Sequence, residues 1–191
     1  MIRRVKVKIA IALLLLLASL FYLICHCDLI ATKRRERAVL PFVSTASAEF
    51  EIPVAMILAV IRAESDFHAD ARSRAGAMGL MQLMPDTFSW LCTELEEAHT
   101  AHEIADPETN IRFGTYYLSY LYEKFGSWRV ALAAYNAGEG RVAEWLNDPS
   151  LSSGNTLRRI PYPETAAYVE KALHYYVDYL EEHPIKEKKR G

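Results

Sequence analysis

The first stretch of the chain is strongly hydrophobic, and its pattern differs from that of the remaining residues. Four basic residues stand within the first eight positions, and an uncharged apolar run then extends over Ile9–Cys25. As a helix, these 17 residues span roughly 25 Å at about 1.5 Å per residue. That length is close to the lower limit for crossing a bilayer and slightly long for the core of a signal peptide. Both interpretations predict export from the cytoplasm.

The sequence leaves open whether this segment is cleaved. No clear Ala-x-Ala site follows the run, and Cys25 and Cys27 are weak candidates both for a cleavage site and for a lipoprotein site. A basic cluster at residues 33–37 follows, so the positive-inside rule does not fix the orientation. We favour an uncleaved anchor over a cleaved signal. Residues 1–31 are assigned to this segment and residues 32–49 to a juxtamembrane helix or linker.

The rest of the chain carries helical periodicity and no sustained strand alternation. Prolines stand where several helices are expected to begin, and glycines stand where some are expected to end. The pattern predicts an all-α domain over residues 50–182 and a polar tail at 183–191. The predicted helices are Pro53–Ser65, a helix from Pro85 or Asp86 through Leu91, Pro107–Phe125, Trp128–Ala137 and Glu164–Glu182, with loops at Asp70–Gly79 and Asn147–Pro163.

Composition narrows the function classes only a little. The formal net charge is -2, which gives no indication of nucleic-acid binding. The three cysteines form neither a disulfide framework nor a paired Cys-x-x-Cys zinc pattern. His99 and His102 have no third ligand in place, so we predict no metal site and no cofactor. The 11 tyrosines suit a surface that grips a large polar ligand, but they also suit a core.

Glu64 breaks the hydrophobic pattern of its own predicted helix. It continues an apolar face, three positions after Ile61 and seven after Ile57. Desolvation there disfavours the charged carboxylate and raises its pKa, and the negative end of the helix dipole acts in the same direction. A glutamic acid that stays protonated near neutral pH can donate a proton to a leaving oxygen, as glycosidic cleavage requires. The alternative is a carboxylate at a helix end that simply points to water.

Four ordered blocks of sequence begin at this glutamate. They are Glu64-Ser65, Gly76-Ala77-Met78-Gly79-Leu80-Met81-Gln82-Leu83-Met84-Pro85, Ala134-Tyr135-Asn136-Ala137-Gly138, and Ile160-Pro161-Tyr162-Pro163-Glu164-Thr165 followed by Tyr168-Val169. With Asp106-Pro107, Asn110-Ile111 and Gly114, they resemble the lytic transglycosylases that have a lysozyme-like soluble-transglycosylase domain. The resemblance covers roughly Phe50 to Tyr179. It implies a lysozyme-like helical fold, peptidoglycan glycan strands as the partner, and a place in the bacterial cell envelope, either membrane-anchored or secreted after cleavage.

The resemblance implies a reaction with one catalytic carboxylate. Glu64 would protonate the oxygen between N-acetylmuramic acid and N-acetylglucosamine, and would then accept the proton of the muramic C6 hydroxyl, which closes a 1,6-anhydro ring. The loop Ala71–Met84 contains no Asp or Glu, and Asp66 and Asp70 are expected to be solvated or capping. Hydrolytic glycosidases usually need two carboxylates. A hydrolytic muramidase and a non-catalytic peptidoglycan-binding scaffold remain the alternatives.

The resemblance implies that six further residues, at positions that match those of the family, bind substrate. Ser73 would lie near a sugar acetamido group, and Gln82 would line the cleft. Met84 would form a hydrophobic wall, or else pack in the core. Asn136 would lie with Tyr135 on the floor of the site and could bond Glu64 or a sugar, or else would only end a helix. The phenol of Tyr168 would approach the catalytic carboxylate, unless it is an ordinary core tyrosine.

Overall fold

A computed structural model of the chain describes residues 2–184, and the side chains of residues 13–24 and 26–184. The chain divides into two compact units at the Ala38–Val39 junction. The side chains of the basic residues before Ile9, that of Cys25 and most of the polar tail predicted from residue 183 lie outside the described residues.

The first helix, α1, runs over Ile2–Phe50. From Leu13 onward it contains an 18-residue window with a mean hydropathy of 2.2, which is long and apolar enough to cross a membrane. The leucines from Leu13 to Leu17 are exposed. A signal sequence near an N-terminus meets the same conditions of length and composition.

The second unit is helical, and the helices predicted from sequence are present within a few residues at their ends. The described part of the chain also contains a 3-10 turn at Glu103–Ala105 and a small antiparallel ladder, β1 Ser152–Ser153 and β2 Thr156–Leu157, inside the second predicted loop. A short helix after Gly138 was not predicted. The helices are α2 Val54–Ser65, α3 Pro85–Glu94, α4 Pro107–Phe125, α5 Trp128–Ala137, α6 Glu139–Leu146 and α7 Pro163–Glu182.

Local sequence explains where the helices begin and end. The side chain of Asp106 accepts a hydrogen bond from the backbone N–H of Thr109 at 2.9 Å, which caps the first turn of α4. Gly126 ends the same helix in the left-handed region, at φ 66°. Asp66 ends α2 in the same conformation, at φ 47°, although it is not glycine.

Helix α2 lies at the centre of the domain. Its residues Ala55–Ile61 are all buried, and it packs most extensively against α7. The last turns of α1 join the same core through Val39, Val43 and Ala46. A smaller cluster holds α3 against α4. Because α2 is fixed along its length, a residue at its C-terminal end is held in a defined place.

Candidate active site

Glu64 stands on the last turn of α2, in the wall of an open cavity of about 630 Å³. The residue is half-buried. Burial raises the pKa of its carboxyl group from 4.5 to about 7, while the Tyr168 hydroxyl and the charge of Lys171 lower it. The pKa of this carboxyl group therefore shifts upward, which is the direction that the sequence predicted. The cavity is lined by Arg62, Ala63, Glu64, Ser65, Asp66, His68, Asp70, Ala71, Arg72, Ser73, Gln82 and Lys171.

Ser65 fastens the following loop to the end of this helix. Its hydroxyl contacts two backbone carbonyl oxygens, that of Leu80 at 2.8 Å and that of Ile61 at 3.1 Å. The chain then turns sharply, because Asp66 and Phe67 both have positive φ angles, of 47° and 64°. The serine of the Glu-Ser pair thus ties the loop to the turn that carries the glutamate.

Asn110 on α4 holds the middle of the loop from the opposite side. Its side-chain oxygen accepts from the N–H of Met81 at 2.7 Å, and its amide group donates to the carbonyls of Ile104 and Met78 at 2.6 and 3.0 Å. Gly79 makes this approach possible, since a Cβ there would lie 2.5 Å from the Asn110 amide nitrogen. Asn110 is fully buried, so each of these bonds replaces one that water can no longer make.

Ser73 and Gln82 both line the cavity that Glu64 lines. The Ser73 hydroxyl accepts from the N–H of Ala77 at 2.9 Å. The Gln82 amide donates to the carbonyls of Ala71 and Gly79 at 3.1 and 2.8 Å. Both side chains therefore stabilise the loop, and their placement toward a substrate stays a prediction.

Tyr135 and Tyr168 lie beside Glu64 on two other helices, α5 and α7. The Tyr135 hydroxyl donates to the Met81 carbonyl at 2.8 Å. The Tyr168 hydroxyl is buried and makes no direct hydrogen bond within 3.5 Å among the described residues, but it lies close enough to Glu64 to lower that carboxyl's pKa. Burial and the Glu64 charge raise the pKa of both phenols well above the ordinary value, so both remain protonated.

Asn136 and Met84 are not among the described residues that line the Glu64 cavity. The Asn136 side-chain oxygen accepts from the Thr165 hydroxyl at 2.8 Å, which ties the end of α5 to the first turn of α7. Among the described residues it has no hydrogen bond to Glu64. Met84 directly precedes α3 and is 40% exposed, which is inconsistent with plain core packing and leaves its side chain free to contact a ligand.

The profile of the transglycosylase SLT domain matches residues 41–157 of this chain, which is more than half of it. The chain belongs to the transglycosylase SLT domain family. The family resemblance inferred from the four blocks is thereby confirmed.

Named relatives carry this domain within longer proteins. The soluble lytic murein transglycosylase of Escherichia coli K12 is 39% identical over 130 residues, which cover 65% of this chain and 20% of that protein. The membrane-bound lytic murein transglycosylase C of Histophilus somni is 29% identical over 151 residues, 73% of this chain and 41% of that protein. The chain thus spans less than half the length of these relatives.

A solved structure shares the fold. It is of an inactive glutamate-to-glutamine mutant of lytic transglycosylase Slt from Pseudomonas aeruginosa, 36% identical with a TM-score of 0.65, covering 76% of this chain and 24% of that one. The predicted all-α, lysozyme-like fold of lytic transglycosylases is confirmed.

In this transglycosylase SLT domain, sequence reasoning missed one residue and set two aside. Lys171 lies in the cavity, and its ammonium group donates to the Ala63 carbonyl at 2.7 Å. No local signal indicated it, because it reaches Glu64 only through the packing of α7 on α2. Asp66 and Asp70 were expected to be solvated or capping. Asp66 is the C-cap of α2 and Asp70 is exposed, and both line the same open cavity as Glu64.

Proposed function

We propose that this chain is a lytic transglycosylase that cleaves the bond between N-acetylmuramic acid and N-acetylglucosamine in peptidoglycan. The observation that carries the proposal is Glu64, a half-buried carboxyl group with a pKa of about 7 in an open cavity. Family membership and the lytic murein transglycosylases among the relatives give the substrate class. The inactive Pseudomonas aeruginosa mutant, in which a glutamate is replaced by glutamine, agrees with a catalytic glutamate.

The reaction uses Glu64 twice. Protonated Glu64 donates its proton to the glycosidic oxygen as the bond from C1 breaks, and the N-acetylglucosamine side leaves as an alcohol. The resulting carboxylate then accepts the proton of the muramic C6 hydroxyl, whose oxygen attacks C1. The products are one strand with a 1,6-anhydro-muramic end and one strand that ends in N-acetylglucosamine with a free hydroxyl group. Glu64 returns to its protonated form. A pKa near 7 suits both steps, because neither state of the carboxyl group is strongly disfavoured at neutral pH.

The neighbouring side chains support this reaction by position. Ser73 and Gln82 are assigned to the sugar acetamido group and the cleft wall, respectively. Met84 offers an exposed apolar contact at the start of α3. The phenol of Tyr168, buried and without a direct hydrogen-bond partner among the described residues, is free to donate to the Glu64 carboxylate once that group ionises. Asn136 is assigned to the floor with Tyr135, where its bond to Thr165 fixes it.

The test is the chemistry of the products. The full-length chain in mild detergent is incubated with purified sacculi, and the masses of the released muropeptides are measured by mass spectrometry. The wild type is expected to release products with 1,6-anhydro ends, which are lighter by one water than the products of hydrolysis. Glu64→Gln is expected to release none. The control is Glu97→Gln, the same substitution at a half-buried glutamate outside the cavity, which is expected to retain activity.

Other products would overturn the proposal. Reducing ends would make the protein a muramidase, and Asp66→Asn and Asp70→Asn would then locate the second carboxylate. No product from a folded wild-type chain that still binds sacculi would make it a peptidoglycan-binding scaffold.

The first helix supports a proposed site of action in the cell envelope. The apolar, exposed segment of α1 from Leu13 is assigned to the cytoplasmic membrane, with residues 39–191 in the bacterial cell envelope. A relative that is a membrane-bound transglycosylase agrees with this location. Protease added to spheroplasts should degrade the domain. The mass of the purified protein then distinguishes an uncleaved anchor from a cleaved signal. Protection from protease in intact spheroplasts would contradict the assignment.

A further inference from the structure

The basic cluster at residues 33–37 follows the apolar segment of α1 and has no part in the proposed reaction. Lys33 and Arg35 each bond a neighbouring side chain of the same helix, at 3.3 and 2.9 Å. Arg34 and Arg37 are exposed, and their side chains make no hydrogen bond or ion pair within the described part of the chain. We refer to Arg34 and Arg37 as the arginine pair. Its two guanidinium groups are available to a partner outside the chain.

The arginine pair lies on an exposed face of α1 that begins with apolar side chains. Ile30, Arg34 and Arg37 are spaced i, i+4 and i+7, which places them on one side of the helix. Ile30 is 57% exposed. The buried residues Thr32 and Glu36 lie on the opposite side. The exposed face therefore changes from apolar to cationic along the helix axis.

The length of α1 sets the depth of the arginine pair in a membrane. The helix is continuous over Ile2–Phe50, so position along it follows from residue number. Lys8, the last basic residue before the apolar run, and Lys33 are 25 residues apart, or about 37 Å at about 1.5 Å per residue. A bilayer with both headgroup layers is about 40–45 Å thick. When the apolar segment spans the membrane, the two basic clusters therefore lie at the headgroups of opposite leaflets.

The chemistry of the face matches that of a phospholipid at this depth. Side chains of a helix point back toward its N-terminus, so the guanidinium groups of the arginine pair reach toward the membrane. A guanidinium group binds phosphate oxygens through two parallel N–H donors. The exposed apolar side chains on the preceding turns, Ile30 among them, suit the acyl chains of the same lipid.

The charge balance of the two clusters favours a lipid with net negative charge. Each cluster contains four basic residues, although the positive-inside rule predicts few on the translocated side. A headgroup with net negative charge compensates the outer cluster, whereas a zwitterionic headgroup brings its own cation. Asp28, between the clusters, is not on the face of the arginine pair.

We propose that the arginine pair binds the phosphate group of an anionic phospholipid in the outward-facing leaflet. This inference rests on the location given under the proposed function, with α1 in the cytoplasmic membrane, and not on the reaction of Glu64. It gives the chain a membrane preference: the protein collects anionic lipids around its anchor.

The experiment measures lipid binding to the full-length chain in mild detergent. The chain is titrated with dioleoylphosphatidylglycerol or with zwitterionic dioleoylphosphatidylcholine, and bound lipid is counted by native mass spectrometry. The wild type should bind phosphatidylglycerol more tightly. Arg34→Gln/Arg37→Gln should weaken that binding about tenfold and abolish the preference, because two cations beside the headgroup are lost. Arg34→Lys/Arg37→Lys keeps both charges and should keep most of the preference.

A matched control removes the same charge elsewhere. Arg158 and Arg159 are exposed neighbours in the second unit, and Arg158→Gln/Arg159→Gln should leave phosphatidylglycerol binding unchanged. Glutamine is nearly as good a helix former as arginine, so α1 should persist in Arg34→Gln/Arg37→Gln. Unchanged thermal unfolding of that variant shows that it is folded.

Equal phosphatidylglycerol affinity of the wild type and Arg34→Gln/Arg37→Gln would overturn the proposal, as would equal affinity of the wild type for the two lipids. Displacement of the lipid by inorganic phosphate at equal concentration would show a site for a free anion instead. A mature protein that has lost the apolar segment by cleavage would also overturn it, because the apolar part of the site would be gone.

The lipid experiment and the test of the proposed reaction fail separately, because lipid binding is measured without substrate. A wild type that makes no 1,6-anhydro products but prefers phosphatidylglycerol through the arginine pair loses the proposed reaction alone. A wild type that makes those products without a lipid preference loses the lipid site alone.

Discussion

Two half-buried glutamates in this domain start from the same ordinary pKa of 4.5 and shift in opposite directions. Glu64 lies at the end of a buried helix, where burial outweighs its weak stabilising contacts and raises its pKa to about 7. Glu97 accepts a hydrogen bond from the Arg112 guanidinium at 2.7 Å and contacts the His99 ring nitrogen at 3.2 Å. These contacts lower the pKa of Glu97, with the Arg112 bond as the largest cause.

The comparison shows how the surroundings of a glutamate decide whether its pKa falls or rises. Arg112 also forms bonds of 2.6–3.0 Å to Glu49, so the Glu97 carboxylate belongs to a network in which every charge has a partner. Such a network favours the ionised form and holds structure together. Among the described residues, Glu64 has no comparable bond to a cation, and its pKa rises instead of falling. A carboxyl group that is buried but not paired is thus the signature of the candidate active site.

The largest expected effect is on activity. Glu64→Asp keeps the carboxyl group but retracts it by one methylene, and a misplacement of about 1 Å at a reacting group costs roughly hundredfold in rate. We expect a loss of that order in the initial rate of sacculus solubilisation. Glu97→Asp makes the same retraction in the paired network and should leave the rate near wild type. Equal losses in the two variants would mean that Glu64 has no special role.

The second prediction concerns stability. Glu64 binds its proton more tightly in the folded chain, so its contribution is favourable below pH 4.5 and is lost as pH rises toward 7. The wild type pays the cost of ionising buried Glu64 at pH 8, and Glu64→Gln removes that cost. The free energy of unfolding of Glu64→Gln minus that of the wild type should therefore be about 1–3 kcal/mol larger at pH 8 than at pH 4.5, since one pKa unit corresponds to about 1.4 kcal/mol. Thermal unfolding of both chains at the two pH values measures it. A constant difference between the chains would contradict the raised pKa.

How far the sequence alone could lead differs between the fold and the site. Helical periodicity and end signals located α2, α4, α5 and α7 almost to the residue. Helix α6 was missed because it is only eight residues long, follows Gly138 directly and contains Gly140. The β1–β2 ladder has strands of two residues, which are too short for any alternation to be visible.

Within the site, the position of Glu64 was predictable because the periodicity of the sequence alone reveals a carboxylate on an apolar helix face. The contacts that position it were not. The bond from Met81 to Asn110 joins residues 29 apart, and that from Lys171 to Ala63 joins residues 108 apart. Both exist only because helices pack together. The predicted domain bounds, the catalytic role of Glu64 and the substrate-binding roles of the other site residues stay predictions until variants test them.

The third prediction shifts the pH profile. The charge of Lys171 lowers the pKa of Glu64, so Lys171→Met, which keeps an apolar chain of similar length, should raise that pKa. Because the proposed first step needs protonated Glu64, we expect activity to fall as pH rises past 7. This alkaline limb should move upward by about a few tenths of a pH unit for an exposed cation. Lys124→Met is the control, since Lys124 pairs with Glu139 outside the cavity. A downward shift would reverse the assigned role of Lys171.

The smallest expected effect comes from the paired carboxylate. Glu97 has a lowered pKa, so its contribution to stability is present above pH 4.5 and is lost as pH falls through the folded-state pKa. Glu97→Gln should therefore destabilise the chain at pH 7, by less than about 1 kcal/mol because the pair is partly exposed, and the difference should shrink on acidification. This trend has the opposite sign to that of Glu64→Gln. Thermal unfolding of the wild type and both variants should show that the stabilising contribution of Glu97 rises with pH, whereas that of Glu64 falls. Trends of the same sign would mean that pairing and burial do not separate the roles of the two glutamates.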